Sequence, residues 1–260
     1  MLQIVIPMAG KGSRFIEAGY ETPKPFIDVL GRAMILHVVE NLTPHEPYRF
    51  IFLARRDHEK YIRQHMSFAT NVIYVDEVTE GAACTVLLAK NLINSDEPLV
   101  IANSDQLVVW NDLDKTISAQ NIHGDSLCWQ ESDSLQDMIN QTRIRGLDGM
   151  IATFHATHPK WSYAKLDPLS KRVNEVAEKK VISNNATAGV YYYRSGIQFV
   201  AAAEQMISCN IRTNGEFYVC PVFNQMISHG RNIGIYPIYK MWGLGTPEDL
   251  EYFNENFYER

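Results

Sequence analysis

An α/β fold with a mostly parallel sheet is what this sequence predicts, on three observations. Short runs rich in Val, Ile, Leu and Phe at residues 2–8, 49–54, 72–75 and 99–102 have the length and composition of buried strands. Segments 34–42, 57–68 and 81–93, lying between those runs, read as helices. Polar segments at 10–14 and 103–105 follow directly on two of the strands. Open α/β sheets bind ligands there, outside the carboxyl ends of their strands.

In chain order, Ile4-Val5-Ile6-Pro7-Met8 is the first strand, and Ala9-Gly10-Lys11-Gly12-Ser13-Arg14 is a turn beyond it, with Pro23-Lys24-Pro25 soon after. Helix 34–42 rests on an imperfect stripe of Ala33, Met34, Leu36, His37 and Glu40, and helix 81–93 on a better one of Val86, Leu87, Ala89, Lys90 and Ile93. Strand 99–102 ends in Asn103-Ser104-Asp105. After a soft boundary at 146–149 come strands at 150–154, 162–166, 172–177 and 186–193, then helices at 197–207 and 218–229 and a strand at 233–237. Pro247 before Glu248 and Asp249 starts a final helix, with proline at its first position and acids in its first turn. The expectation is one domain over 1–260, with a nucleotide-facing half at 1–148 and an acceptor-facing half at 149–260.

Glycines at 10 and 12 let the main chain approach a ligand closely, and exposed N–H groups in such a turn hold phosphate oxygens. Arg14 and Lys24 add charge, one as a planar fork and one as a point charge. The flanking prolines restrict the backbone that presents Lys24. A polyphosphate is the expected ligand. Phe15 stands where a dinucleotide fingerprint needs its third glycine, and Gly10-Lys11-Gly12 breaks the spacing of a Walker A loop. An ordinary strand-to-helix turn with surface charges explains the glycines alone, but not their conjunction with both cations.

The chain of 260 residues is 46% hydrophobic and 21% charged, ordinary for a globular protein. A net charge of −6 argues against nucleic acid as partner, so phosphate binding must be a local concentration of cations. Cys84, Cys128, Cys209 and Cys220 form no C-x-x-C pair and read as reduced, mostly buried thiols. No run resembles a signal peptide or a membrane span, so a cytoplasmic protein with no membrane partner is expected.

Gly10-Lys11-Gly12-Ser13-Arg14, Pro23-Lys24, Asp105, Glu178-Lys179 and Gly245-Thr246-Pro247 keep the order of a known set. In these residues the chain resembles the sugar-phosphate nucleotidyltransferase family over essentially its whole length. His158-Pro159-Lys160-Trp161-Ser162-Tyr163, Ala177-Glu178-Lys179-Lys180 and Glu216-Phe217-Tyr218-Val219-Cys220-Pro221 are similar to a narrower branch. That branch is the bacterial cytidylyltransferases of surface-polysaccharide (capsule) modification, the phosphocholine and phosphoglutamine enzymes among them. The resemblance implies a Rossmann-like fold of glycosyltransferase-A type, with a mixed, mostly parallel sheet flanked by helices and a smaller acceptor-binding subregion. It also implies a Mg²⁺-dependent reaction in which an acceptor phosphate attacks the α-phosphorus of a nucleoside triphosphate, here CTP, and expels pyrophosphate. Positioning and charge stabilisation carry such a step, so no nucleophilic side chain is needed.

The roles follow from that resemblance. Met8, Ala9, Gly10, Gly12, Ser13, Arg14, Glu80, Gly81, Ala82 and Ser104 would bind the nucleotide, with Gly81 and Ala82 near the base. Arg14 would face the leaving pyrophosphate, Lys24 the α-phosphate, and Asp105 the Mg²⁺. Glu178, Lys179, Trp161, Tyr163, Gly189, Tyr191 and Tyr218 would receive the acceptor, Lys179 on its phosphate. Many members carry a second metal-binding aspartate where this chain has Gly243, and Glu216 is the candidate substitute. A homodimer is also expected.

Each role has a plainer alternative. Asn-Ser-Asp is turn chemistry, charged loop residues are usually only solvated, and aromatics are more often core. Alternate members of Tyr191-Tyr192-Tyr193 must in any case face opposite ways in a strand. Competing functions are a dTTP or UTP enzyme acting on a sugar 1-phosphate, a noncatalytic nucleotide sensor, and a glycosyltransferase using Asp112-Leu113-Asp114 as its metal motif. Capping of a polar helix start accounts better for that last triplet.

Overall fold

The computed structural model describes residues 1–111 and 134–257. Asp112-Leu113-Asp114 and Cys128 lie outside the described residues.

Strand β1 (Leu2–Met8) is the axis of the fold, and it is buried along almost its full length. Its alternate residues serve opposite faces: Leu2, Ile4 and Ile6 pack into one hydrophobic cluster, Val5 into the other. Both faces must therefore be covered, which is why the strand reads as a continuous apolar run. Parallel neighbours β4 (Tyr48–Arg55) and β6 (Leu99–Ala102) flank it, and β5 (Val72–Val75) pairs in parallel with β4. Helices α2 (Met34–Asn41), α3 (Glu59–His65), α4 (Ala82–Leu87) and α5 (Lys90–Ile93) connect these strands.

Beyond β6 the sheet turns antiparallel. Strand β11 (Asn185–Tyr193) pairs with β6, β8 (Gly149–His155) and, at one position, β9 (Ser162–Leu166). β9 carries β10 (Val173–Glu178) as an antiparallel neighbour, and β12 (Ile233–Pro237) lies parallel to β8. Among the described residues the result is one nine-stranded mixed sheet running through both halves of the chain. Helices α6 (Leu135–Ile144), α7 (Gly196–Ser208) and α8 (Val222–Ser228) complete its cover. A small second sheet pairs β7 (Gln106–Val109) with β13 (Lys240–Gly243), followed by α9 (Pro247–Asn256). Thr246 caps α9, its hydroxyl accepting from the Asp249 N–H at 3.1 Å.

Several boundaries differ from the sequence reading. Segment 81–93 is two short helices broken at Leu88-Ala89, and 57–68 is a 3₁₀ turn at Arg56–His58 followed by α3. The helix expected from 218 begins only at Val222, behind Pro221, leaving Tyr218, Val219 and Cys220 free to form a wall. The hairpin β2 (Asp28–Val29) and β3 (Arg32–Ala33), helix α1 (Ser13–Glu17) and the pair β7–β13 went unread. Two- to five-residue elements show too little periodicity to announce themselves. Cys220 is buried, Cys84 half-buried and Cys209 exposed, so burial fails for one of the three described thiols.

Candidate active site

Two adjoining cavities open at the carboxyl ends of β1 and β6. The larger, about 650 Å³, is lined by Met8 to Ser13 and Lys24 on one side and by Asn103, Ser104 and Asp105 on another. Thr79, Gly81 and Ala82 form one wall, and Ser162, Glu178, Tyr191, Glu216 and Tyr218 form the far end. The smaller, about 490 Å³, collects Arg14, Lys24, Asp105, Lys160, Trp161, Lys179, Thr246 and Asp249. Lys24 and Asp105 line both.

That shared pair is the seam of the site. The Lys24 ammonium donates to Asp105 Oδ2 at 2.5 Å across 81 residues of sequence. Gly12, at φ +65, ends the β1 turn so tightly that a Cβ there would lie 3.1 Å from Lys24 Cβ. On the other flank a Cβ on Gly245 would lie 3.1 Å from Asp105 Oδ2. Glycine at both positions is what lets the main chain close on the pair from two directions.

Gly81 joins the wall of the larger cavity to its far end. It sits at φ +131, a Cβ on it would lie 2.5 Å from the Phe217 nitrogen, and the main chain clasps there. Ala83 N–H donates to Phe217 O at 2.9 Å, and Phe217 N–H to Glu80 O at 2.8 Å. The Glu80 carboxylate itself points to Arg212 and does not line the cavity. Glu80, expected at the nucleotide, thus contributes its carbonyl to the clasp.

At the far end the Glu178 carboxylate accepts a hydrogen bond from the Ser162 hydroxyl. Burial pushes the Glu178 carboxyl up from its ordinary value, and the neighbouring Glu216 adds to the shift. Tyr191 faces this end, its hydroxyl 3.0 Å from that of Thr187, and burial drives its pKa well up. Tyr193, on the same face, stacks on Phe223 in the core, and Tyr192 packs on the opposite side. Lys179 belongs to the smaller cavity and bonds the Tyr218 hydroxyl at 2.7 Å. Trp161 stands edge-on to Phe154 at 5.6 Å with the Lys160 ammonium 4.5 Å from its ring.

Two of the expected acceptor residues, Tyr163 and Gly189, line neither cavity. Tyr163 is fully buried and donates to the His158 carbonyl at 2.7 Å, so it serves the core. Gly189, at φ +68, lies where a Cβ would meet the Asn103 and Gln106 side chains, and its carbonyl accepts from Asn103 N–H at 2.9 Å. It shapes the loop that presents Asp105 without lining either cavity. Lys160 and Asp249, paired at 3.0 Å, were missed as site residues. Asp249 Oδ2 lies 3.6 Å from where a Cβ on Gly243 would stand. The absent side chain at 243 leaves that place to a carboxylate from α9, and only the acids after Pro247 hinted at it.

Among the described residues no three His, Cys, Asp or Glu gather into a metal cage. The donor set nonetheless fits Mg²⁺, which is commonly held by one or two carboxylates together with substrate phosphates. Asp105, facing both cavities, is such a carboxylate.

Residues 4–127 match the family model described as nucleotidyl transferase. That stretch is thus a nucleotidyl transferase family domain. The nucleoside-diphosphate-sugar pyrophosphorylase of Vibrio cholerae RC9 has the same fold, with a TM-score of 0.74 at 22% identity over 97% of this chain and 100% of that one. A UDP-glucose pyrophosphorylase solved with UDP-glucose gives 0.73 at 15% identity, over 100% of this chain and 99% of that one. The inositol-1-phosphate CTP transferase of T. maritima gives 0.64 at 13% identity, over 95% and 90%. By sequence, the bifunctional protein GlmU of Thermodesulfovibrio yellowstonii is 22% identical over 260 residues, 96% of this chain and 50% of its own length. The chain thus spans about half the length of that curated relative. No helix among the described residues is long and apolar enough to cross a membrane.

Proposed function

We propose that this nucleotidyl transferase domain joins the α-phosphate of a nucleoside triphosphate, CTP by preference, to the phosphate of a small acceptor. The observation that carries the reading is the Lys24–Asp105 seam, where the glycine turn, the β6 end and both cavities meet. The triphosphate lies along the N–H groups of residues 10–13, with its base against Gly81 and Ala82. Lys24 holds the α-phosphate and Arg14 the departing pyrophosphate. An acceptor phosphate oxygen, steadied by Lys179, forms the new bond to the α-phosphorus as the bond to the bridging oxygen of the β-phosphate breaks. No proton need move, so alignment and cationic charge carry the step. Bound Mg²⁺ would neutralise phosphate charge; Asp105 would hold it, with Glu216 or Asp249 as second carboxylate.

The rest of the acceptor fits the end built from Ser162, Glu178, Tyr191, Glu216 and Tyr218, which is rich in hydrogen-bond acceptors and suits hydroxyl or amine groups. The preference for CTP rests on the cytidylyltransferase resemblance of segments 158–163, 177–180 and 216–221, and a CDP-linked product of phosphoglutamine type for surface-polysaccharide synthesis follows from it. A dTTP or UTP enzyme acting on a sugar 1-phosphate is the second reading, favoured by the fold shared with sugar-nucleotide pyrophosphorylases. Pyrophosphate release is the test, measured with CTP, dTTP, UTP, GTP and ATP against phosphorylated amines, amides and hexoses. Release with CTP is expected. Turnover with dTTP and a hexose 1-phosphate but none with CTP overturns the nucleotide choice, and release with no pair leaves a nucleotide sensor.

A further inference from the structure

Glu178 and Lys179 are adjacent in sequence yet serve different cavities: Glu178 lines the larger and Lys179 the smaller. Strand β10 ends at Glu178, and Lys179 turns the chain at φ +54, a left-handed conformation that a lysine adopts at a cost. Its N–H donates to the Trp161 carbonyl at 3.0 Å, so the turn is pinned from β9's side. The side chain, with four rotatable carbons, would remain free to sample solvent from there. Tyr218 prevents this. Its hydroxyl accepts from the Lys179 ammonium at 2.7 Å, and its ring centroid lies 4.8 Å from the same nitrogen. Tyr218 itself lines the larger cavity, so the contact crosses the boundary between the two.

We propose that Tyr218 is a positioning residue: it holds the Lys179 ammonium at the boundary of the two cavities, ready for an anionic group of the substrate. The proposal rests on the reading above, in which Lys179 receives a phosphate. It adds, to the place of Tyr218 at the acceptor end, a role exercised through Lys179. A flexible lysine fixed before binding loses less freedom when the anion arrives, and that saving is what the tyrosine contributes.

Inorganic phosphate is the probe, titrated into the full chain and followed by ³¹P NMR, with wild type, Tyr218→Phe, Lys179→Met and the double variant compared. Phenylalanine keeps the ring and removes only the hydroxyl. The expected result is phosphate affinity lower by about twofold to tenfold in Tyr218→Phe, the range for the net worth of one intramolecular hydrogen bond. It should be lower still in Lys179→Met, and no lower in the double variant than in Lys179→Met alone. Reductive ¹³C-methylation gives a second readout: the Lys179 resonance, assigned by its loss in Lys179→Arg, should shift toward that of a free lysine in Tyr218→Phe. A change confined to fold stability would not produce either pattern. Wild-type affinity in Tyr218→Phe, or a loss that adds in full to that of Lys179→Met, overturns the proposal. Should Lys179→Met bind phosphate as wild type does, the role given to Lys179 falls as well.

Discussion

Asp105 and Lys24 neutralise one another at 2.5 Å where the two cavities meet, so each substitution there exposes the other's charge. Asp105→Asn is expected to fold normally and to lower turnover by about a hundredfold or more, the size of effect seen when an electrostatic stabiliser of a transition state is removed. Pyrophosphate release beside a thermal melt checks both parts. Which carboxylate would join Asp105 on a bound Mg²⁺ is a separate question at the same scale. Asp249→Asn and Glu216→Gln are to be compared by Mn²⁺ binding in the presence of CTP, and the larger loss is expected for Asp249, whose carboxylate reaches the place vacated at Gly243. Glu178 supplies a pH signature. Its carboxyl is raised by burial, so the folded chain keeps that proton to higher pH than the unfolded chain does. Stability contributed by this group is therefore present below the ordinary glutamate range and falls as pH rises through the raised value. Urea midpoints for wild type should decline across that window, and Glu178→Gln should lose this part of the slope.

The clasp between α4 and the segment before α8 is the element on which the cavity's width depends. It is made by two main-chain hydrogen bonds and a glycine at φ +131, with no side-chain room to spare. Gly81→Ala forces a Cβ against the Phe217 backbone, which cannot yield as a flexible side chain would, and is expected to destabilise the fold by about 1–3 kcal/mol or more. Denaturant unfolding measures that, and a raised KM for nucleotide should accompany it because the same residues wall the larger cavity. These local geometries explain which site residues were legible. Gly10, Gly12 and Asp105 follow strand ends and Lys24 stands between two prolines, so these could be read from pattern. Tyr163 and Tyr191 could not be separated, since one hydroxyl ends on the His158 carbonyl and the other lies beside the cavity, and strand alternation alone does not say which face the cavity takes.

Among the described residues, main-chain hydrogen bonds tie the two halves of the chain together. Strand β11 from the second half pairs with β6 from the first, and β13 pairs with β7 in the small sheet. A fragment ending at residue 148 would leave the β6 edge open, so it is expected to aggregate rather than fold, as size exclusion and circular dichroism would report. The full chain should melt in one calorimetric transition. What the amino-acid order determined by itself was the alternating α/β plan, the phosphate-ready turn and the acid beyond β6, because period, length and strand-end position are local properties. Only the tertiary structure decided that Glu178 and Lys179 part into separate cavities, that Glu80 turns outward to Arg212, and that Asp249 fills the space beside Gly243. Those outcomes depend on which residues, tens of positions apart in sequence, the sheet brings together, and no local pattern records that.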